Sequence, residues 1–213
     1  MERKIIFLDI DGVLQPLNSQ KRSDYCKSPF EKSPMLQKYK ILKEDFDLDF
    51  CEREQWNVAA VLYDWDKAAL ALLKLILNLS GAKIVISSDW RLDGFKKMKD
   101  FFTIHGLEKY LIDVTRTKDE CFAKKGILKQ VPKKFSDKLK AQHEKKHGKG
   151  AYLHYRTIEI FDWLHRNPDV KRWVAIDDMD LDGMVETNFV RTRSSLNEID
   201  AEKCIRILTD FVS

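Results

Sequence analysis

The sequence predicts an α/β fold, a Rossmann-like parallel sheet with helices on both faces. Short, wholly apolar runs recur at 4–9 (KIIFLD), 83–87 (KIVIS) and 173–177 (WVAID). Runs without polar alternation belong to strands covered on both faces. Between them lie longer segments with apolar residues at helical spacing, and strands alternating with helices argue for βαβ units. With 213 residues and 25.1 kDa, the chain can build one core and still carry excursions from it. We therefore expect a single domain over 1–213, with insertions at 15–55 and 116–155.

Two weaker runs, YLIDVT (110–115) and FVRT (189–192), extend the predicted sheet. The segment 56–79 lacks Gly and Pro, is rich in Ala and Leu, and stops at Ser80-Gly81, so it reads as one long helix. Residues 93–106 alternate apolar and basic positions at helical spacing, and 156–168 gathers Ile160, Phe161, Trp163 and Leu164 on one side before Pro168. A last helix over 197–212 has Asn197 as its cap. Residues 15–55 contain Pro16, Pro29 and Pro34 and show only broken helix patterning, while 116–155 is rich in lysine.

Composition bounds the class. An apolar fraction of 44% with 34% charged residues suits a soluble globular protein. The start MERKIIFLDIDG puts acids directly behind a short apolar run, unlike a signal peptide. The apolar stretch 68–79 is too short to span a bilayer and carries Lys74, so no membrane association is expected. Four cysteines, at 26, 51, 121 and 204, show no C-x-x-C spacing. They read as free thiols in a reducing compartment, which places the protein in the cytoplasm. The oligomeric state is not legible. Net charge is +4, but residues 116–150 hold 12 Lys or Arg against 4 Asp or Glu. That block carries +8 and leaves the remainder net acidic, a distribution suited to polyanion binding.

The chemistry is written at the strand ends. The first run stops in Asp9-Ile10-Asp11-Gly12, the second in ISSDWR (86–91) and a later one in AIDDMDLD (175–182). Ligands of open α/β sheets gather at the carboxyl ends of strands. One acid pair after a strand is commonly a cap or a turn. Two acid pairs with Ser87-Ser88 at a third strand end are harder to explain so. Four carboxylates do not stay ionised together without a cation, and an all-oxygen ligand set suits Mg²⁺.

FLDIDGVL, then ISSDWR, RTIEIFDWL and WVAIDDMD in that order resemble the haloacid-dehalogenase-like (HAD) phosphohydrolases. More narrowly, they resemble the HAD domains of RNA-repair proteins. The resemblance covers roughly 1–14, 56–115 and 156–212 and omits both insertions. It implies a HAD-like fold and a Mg²⁺-dependent phosphatase. Asp9 would be the nucleophile that forms an aspartyl-phosphate. Asp11 would protonate the leaving oxygen, then take a proton from water, and its backbone carbonyl would join Asp9, Asp177 and Asp178 around the metal. Ser88 or Ser87 would hold a phosphoryl oxygen. Most relatives use Lys as the cationic residue at the helix start where this chain has Arg156, and Arg can clamp phosphate through two donors. Should Arg156 pair with Glu159 instead, Lys124 or Lys125 takes that role. Arg91 is a further phosphate contact or a solvated helix residue.

The substrate expected from the basic block is an RNA or DNA end, held through flanking phosphates by Lys133, Lys134, Lys138, Lys140, Lys145 and Lys146. A phosphorylated metabolite or nucleotide is the alternative substrate. A non-catalytic phosphate- or nucleic-acid-binding module is the alternative of another class.

Overall fold

The computed structural model describes residues 2–18, 20–117, 120–121, 141, 145, 154–181, 184 and 187–209. Among them, five strands form one sheet in the order β3-β2-β1-β4-β5, every neighbouring pair parallel. β1 is Arg3–Leu8, β2 Lys83–Ile86, β3 Leu111–Val114, β4 Val170–Asp177 and β5 Phe189–Arg191. Both weak runs thus enter the sheet as its edge strands.

Alternation along the strands makes two cores. Ile6, Leu8, Ile84, Ile86, Val174 and Ile176 face a large cluster. It is completed by helices α1 (Met35–Phe46), α3 (Lys67–Ser80), α4 (Phe95–Thr103) and α6 (Glu198–Thr209). Ile5, Phe7, Val85 and Ala175 face the other way, onto Ile160 and Trp163. These belong to α5, Tyr155–Arg166. The Phe7 and Trp163 rings meet edge to face at 5.4 Å, and Trp163 Nε1 donates to Asp113 Oδ2 at 2.6 Å. α5 is therefore fixed over the centre of the sheet by packing and by one polar contact. Asn197 caps α6 as expected, its Oδ1 accepting from Asp200 N at 3.0 Å.

The helix expected over 56–79 is broken. α2 spans Gln55–Ala59, one wide π turn follows through Asp64, and Trp65 is extended before Asp66 caps α3 through Ala68 N at 3.0 Å. Distant partners outweigh local propensity here. Asp64 is buried and ion-paired to Arg22 Nε at 2.7 Å, and Asp66 N donates to Leu14 O at 2.7 Å. The Trp65 ring packs on Phe102 and His105.

The segment 15–55 is more ordered than its broken patterning suggests. Met35, Tyr39 and Leu42 bury one face of the 12-residue helix α1 in the main core. The intervening lysines hide that stripe, and Asp47 ends the helix in a left-handed conformation with φ 54°. The stretch KKFSDKLKAQHEKKH (133–147), whose pattern reads as a helix, lies outside the described residues, apart from Ala141 and Lys145, which are helical and exposed.

Gly12 and Gly81 both have positive φ, +71° and +70°. A Cβ on Gly12 would stand 2.5 Å from Asp178 Cβ, whereas one on Gly81 would meet nothing within 4 Å. Gly81→Ala should therefore cost only its left-handed backbone, ~1–2 kcal/mol. Gly12→Ala should cost clearly more in denaturant titrations, because Asp178 and the loop must move. Equal losses in the two variants would contradict this packing.

Candidate active site

Backbone pairing continues past the ends of the strands. Asp9 N donates to Ile176 O at 3.0 Å, Ser87 N to Leu8 O at 2.9 Å and Thr115 N to Ile86 O at 2.8 Å. Asp9 and Asp177 share the parity of Phe7 and Ala175, so both carboxylates rise on the face that α5 covers. Arg156, in the first turn of α5, closes over them. Its Nη1 lies 2.7 Å from Asp9 Oδ2 and 2.8 Å from Asp177 Oδ2. All three side chains are buried.

Asp178 follows the last residue of β4 and escapes the alternation that would have sent it away from Asp177. It crosses onto Gly12, and one oxygen each from Asp9, Asp177 and Asp178 lie within 4.8 Å of one another. Asp177 Oδ1 accepts from Met179 N at 2.9 Å, while Asp9 Oδ1 is buried with no hydrogen-bond partner. Among the described residues, three acids face one guanidinium, a deficit of positive charge. The donor set is all oxygen, and one buried oxygen is unsatisfied, so the residues fit a hard divalent cation such as Mg²⁺.

The electrostatics agree with that deficit. Burial, then the charge of Asp177, pushes the Asp9 carboxyl up to about 7, against the pull of Arg156 and Ser88. Burial likewise raises Asp177, with Arg156 opposing. Burial also works against the Arg156 charge, yet Asp9 and Asp177 hold its pKa above the usual arginine value.

Asp11 is held differently. Its Oδ1 accepts from Gln15 Nε2 at 2.6 Å and its Oδ2 from Trp90 Nε1 at 3.0 Å. Burial raises its carboxyl pKa despite Trp90 and nearby Arg22 and Arg156. Both serine hydroxyls are buried and neither makes a well-formed hydrogen bond. Ser88 Oγ is the one close enough to Asp9 to favour its ionised form.

Two expectations change. Arg91 is not a solvated residue: it is buried beneath the Ser88 turn, donating to Ser88 O at 2.8 Å and to Glu159 Oε2 at 2.7 Å. Glu159 is accordingly a buried partner of Arg91, not a surface partner of Arg156. Trp90, Gln15 and Thr115 were not singled out by sequence reasoning. Thr115 directly follows β3, buried, with an unpartnered hydroxyl. Its position after YLIDV was the available signal. Lys124, Lys125, Lys133, Lys134, Lys138, Lys140 and Lys146 lie outside the described residues, as does Asp182. Lys145 is described and exposed.

Two further observations bear on the chain's broader character. No helix among the described residues is long and apolar enough to cross a membrane. The four cysteines are free thiols, two of them buried.

No curated protein and no solved structure matches the chain. A family model described as the HAD domain in Swiss Army Knife RNA repair proteins matches residues 5–200, and so takes in β1 from Ile5 onward, β2 to β5 and all the residues gathered around Asp9. The ordered motifs, the parallel sheet and the acid cluster at its carboxyl end agree with that match: the chain belongs to the HAD domains of Swiss Army Knife RNA repair proteins, and with them to the HAD-like phosphohydrolases.

Proposed function

We propose that this chain is a Mg²⁺-dependent phosphomonoesterase that works through an aspartyl-phosphate on Asp9 and acts on a terminal phosphate of a nucleic acid. The observation that carries the catalytic part is the unpartnered Asp9 oxygen, buried among Asp177, Asp178 and Arg156. Asp9, Asp177, Asp178 and the Asp11 carbonyl would hold the ion. When bound, Mg²⁺ supplies the positive charge that lets a carboxylate approach a phosphate dianion.

The chain's own groups do the rest. Arg156 fixes the orientation of Asp9 and presents a permanent charge to the phosphoryl oxygens. Ser88, with Ser87 beside it, donates to a phosphoryl oxygen from a turn that Arg91 ties to α5. An Asp9 oxygen attacks phosphorus as the bond to the leaving oxygen breaks, and Asp11 passes its proton to that oxygen. Asp11 then takes a proton from water as the water oxygen attacks the phosphorus. This releases inorganic phosphate and restores the Asp9 carboxylate. Gln15 and Trp90 hold the Asp11 carboxyl in place through both steps.

The nucleic-acid part rests on the family's association with RNA repair and on the basic block. That block begins directly after β3, at the end of the sheet where Asp9 lies. Its lysines would track phosphates flanking the scissile one.

Asp9→Asn should abolish turnover of an aryl phosphate. Losing the nucleophile removes at least ~4 kcal/mol of transition-state stabilisation, about a thousandfold in rate. A folded variant with near wild-type activity would contradict the mechanism. Adding EDTA to the wild type should give a comparable loss, reversed by excess Mg²⁺.

Because the Asp9 pKa is raised in the folded state, from 3.8 to about 7, its ionisation destabilises the metal-free fold. Its stabilising contribution is complete below 3.8 and is lost as pH rises toward about 7. Thermal melts of metal-free protein should therefore show a lower Tm at pH 8 than at pH 5. Mg²⁺ should recover the difference, and Asp9→Asn should narrow it. A pH-independent Tm in metal-free wild type would contradict the charge deficit.

Replacing Lys133, Lys134, Lys138, Lys140, Lys145 and Lys146 by Gln should raise KM for a phosphorylated oligonucleotide and leave a small aryl phosphate nearly untouched. For a single strand, the salt dependence should flatten by about 0.7 for each phosphate that a lysine no longer neutralises. Equal losses on both substrates would put a lysine in the catalytic centre. No loss on either would leave a small phosphorylated metabolite as the substrate.

A further inference from the structure

Trp56, on the second residue of α2, keeps 46% of its surface exposed. One face of its ring is covered by Arg22, whose guanidinium carbon stands 5.1 Å from the ring centroid. Arg22 is not itself free to serve a phosphate: it is buried, with Nε 2.7 Å from Asp64 Oδ2, and its backbone N donates to Asp64 Oδ1 at 3.1 Å. The indole therefore lies on a rigid cationic support with its other side open.

Its neighbours place it beside the site. Asp64 leads into Trp65, whose ring centroid is 5.9 Å from that of Trp90, and Trp90 donates to Asp11. Asn57, next to Trp56, donates to Asp93 Oδ2 at 2.9 Å and ties α2 to the turn that carries Trp90. Arg22 is also close enough to lower the Asp11 pKa. Through Arg22 and the Trp65–Trp90 pair, Trp56 is thus linked to Asp11, the group that would protonate the leaving oxygen.

We propose that Trp56 is the stacking platform for the nucleobase of the nucleotide that carries the scissile phosphate. This rests on the phosphatase reading above and adds the recognition of the leaving group. A flat, fixed aromatic surface binds any base through its π face without requiring a sequence, and a support already locked by Asp64 loses little freedom on binding. A base suits this side better than a phosphate. The groove beyond Asp93 is lined by three lysines and four aspartates, Lys97 and Asp93 among them, and offers no surplus of positive charge. The base of that nucleotide would then turn toward Trp56.

The test uses the full chain and two oligonucleotides that share a terminal phosphate, one with a natural terminal nucleotide and one with an abasic sugar there. Wild type should favour the base-bearing end by about tenfold or more in kcat/KM, the range of one stacked base. Trp56→Ala and Trp56→Leu should erase that preference, Trp56→Phe should keep most of it, and all three should hydrolyse glycerol phosphate as wild type does. The Leu variant keeps Arg22 covered, so its loss reports the flat ring and not an uncovered charge. Binding of the same oligonucleotides to Asp9→Asn, alone and combined with Trp56→Leu, reads the platform without turnover. A base preference in binding that disappears with Trp56 supports the platform even if no phosphate is released, in which case the phosphatase reading is what fails. No base preference in wild type, or one that survives Trp56→Leu, overturns the platform and leaves the phosphatase reading standing.

Discussion

One nitrogen holds the centre of this molecule together. Arg156 Nη1 is shared by Asp9 and Asp177, two buried carboxylates delivered by adjacent parallel strands on the same face of the sheet. Neighbouring strands lie about 4.8 Å apart, so the sheet itself forces the two acids together. Neither can be ionised at that depth without a cation, and removing one partner of such a cluster leaves a buried charge unpaired. The position of α5 follows from this need. Trp163 anchors the helix through Phe7 and Asp113, Glu159 ties it to Arg91, and its first turn then brings Arg156 over the strand ends.

Arginine at this position has consequences that lysine would not. Its charge is permanent, so it persists in a site where burial works against ionisation. Its planar fork lets one nitrogen bridge two acids, and among the described residues Nε has no hydrogen-bond partner. The cluster still falls short of neutrality, because Asp178 leans in over Gly12 and brings a third carboxylate. A divalent ion at the site would correct that balance.

Much of this was legible because parallel strands announce themselves as apolar runs, and their ends announce the site. Asp9, Asp177 and the two serines were found by asking what each run stops on. Arg156 came from the resemblance, standing at the helix start where most relatives place Lys. What stayed hidden depends on distant partners. No local feature of 56–79 marks a break at Trp65, which is imposed by Arg22 and Leu14. Arg91 looks like a surface residue until Glu159, 68 positions away, is seen beside it. Asp178 follows the last residue of β4, where alternation no longer dictates the side its carboxylate takes.

The claim on which the rest depends is that Asp9 itself carries the phosphoryl group. Acid quenching during turnover with Mg²⁺, followed by mass spectrometry of the peptide containing Asp9, tests it directly. The account predicts a phosphoryl adduct on Asp9 that appears with substrate and Mg²⁺ and is missing when EDTA is present. Steady turnover with the adduct on another residue, or undiminished turnover in EDTA, would contradict it.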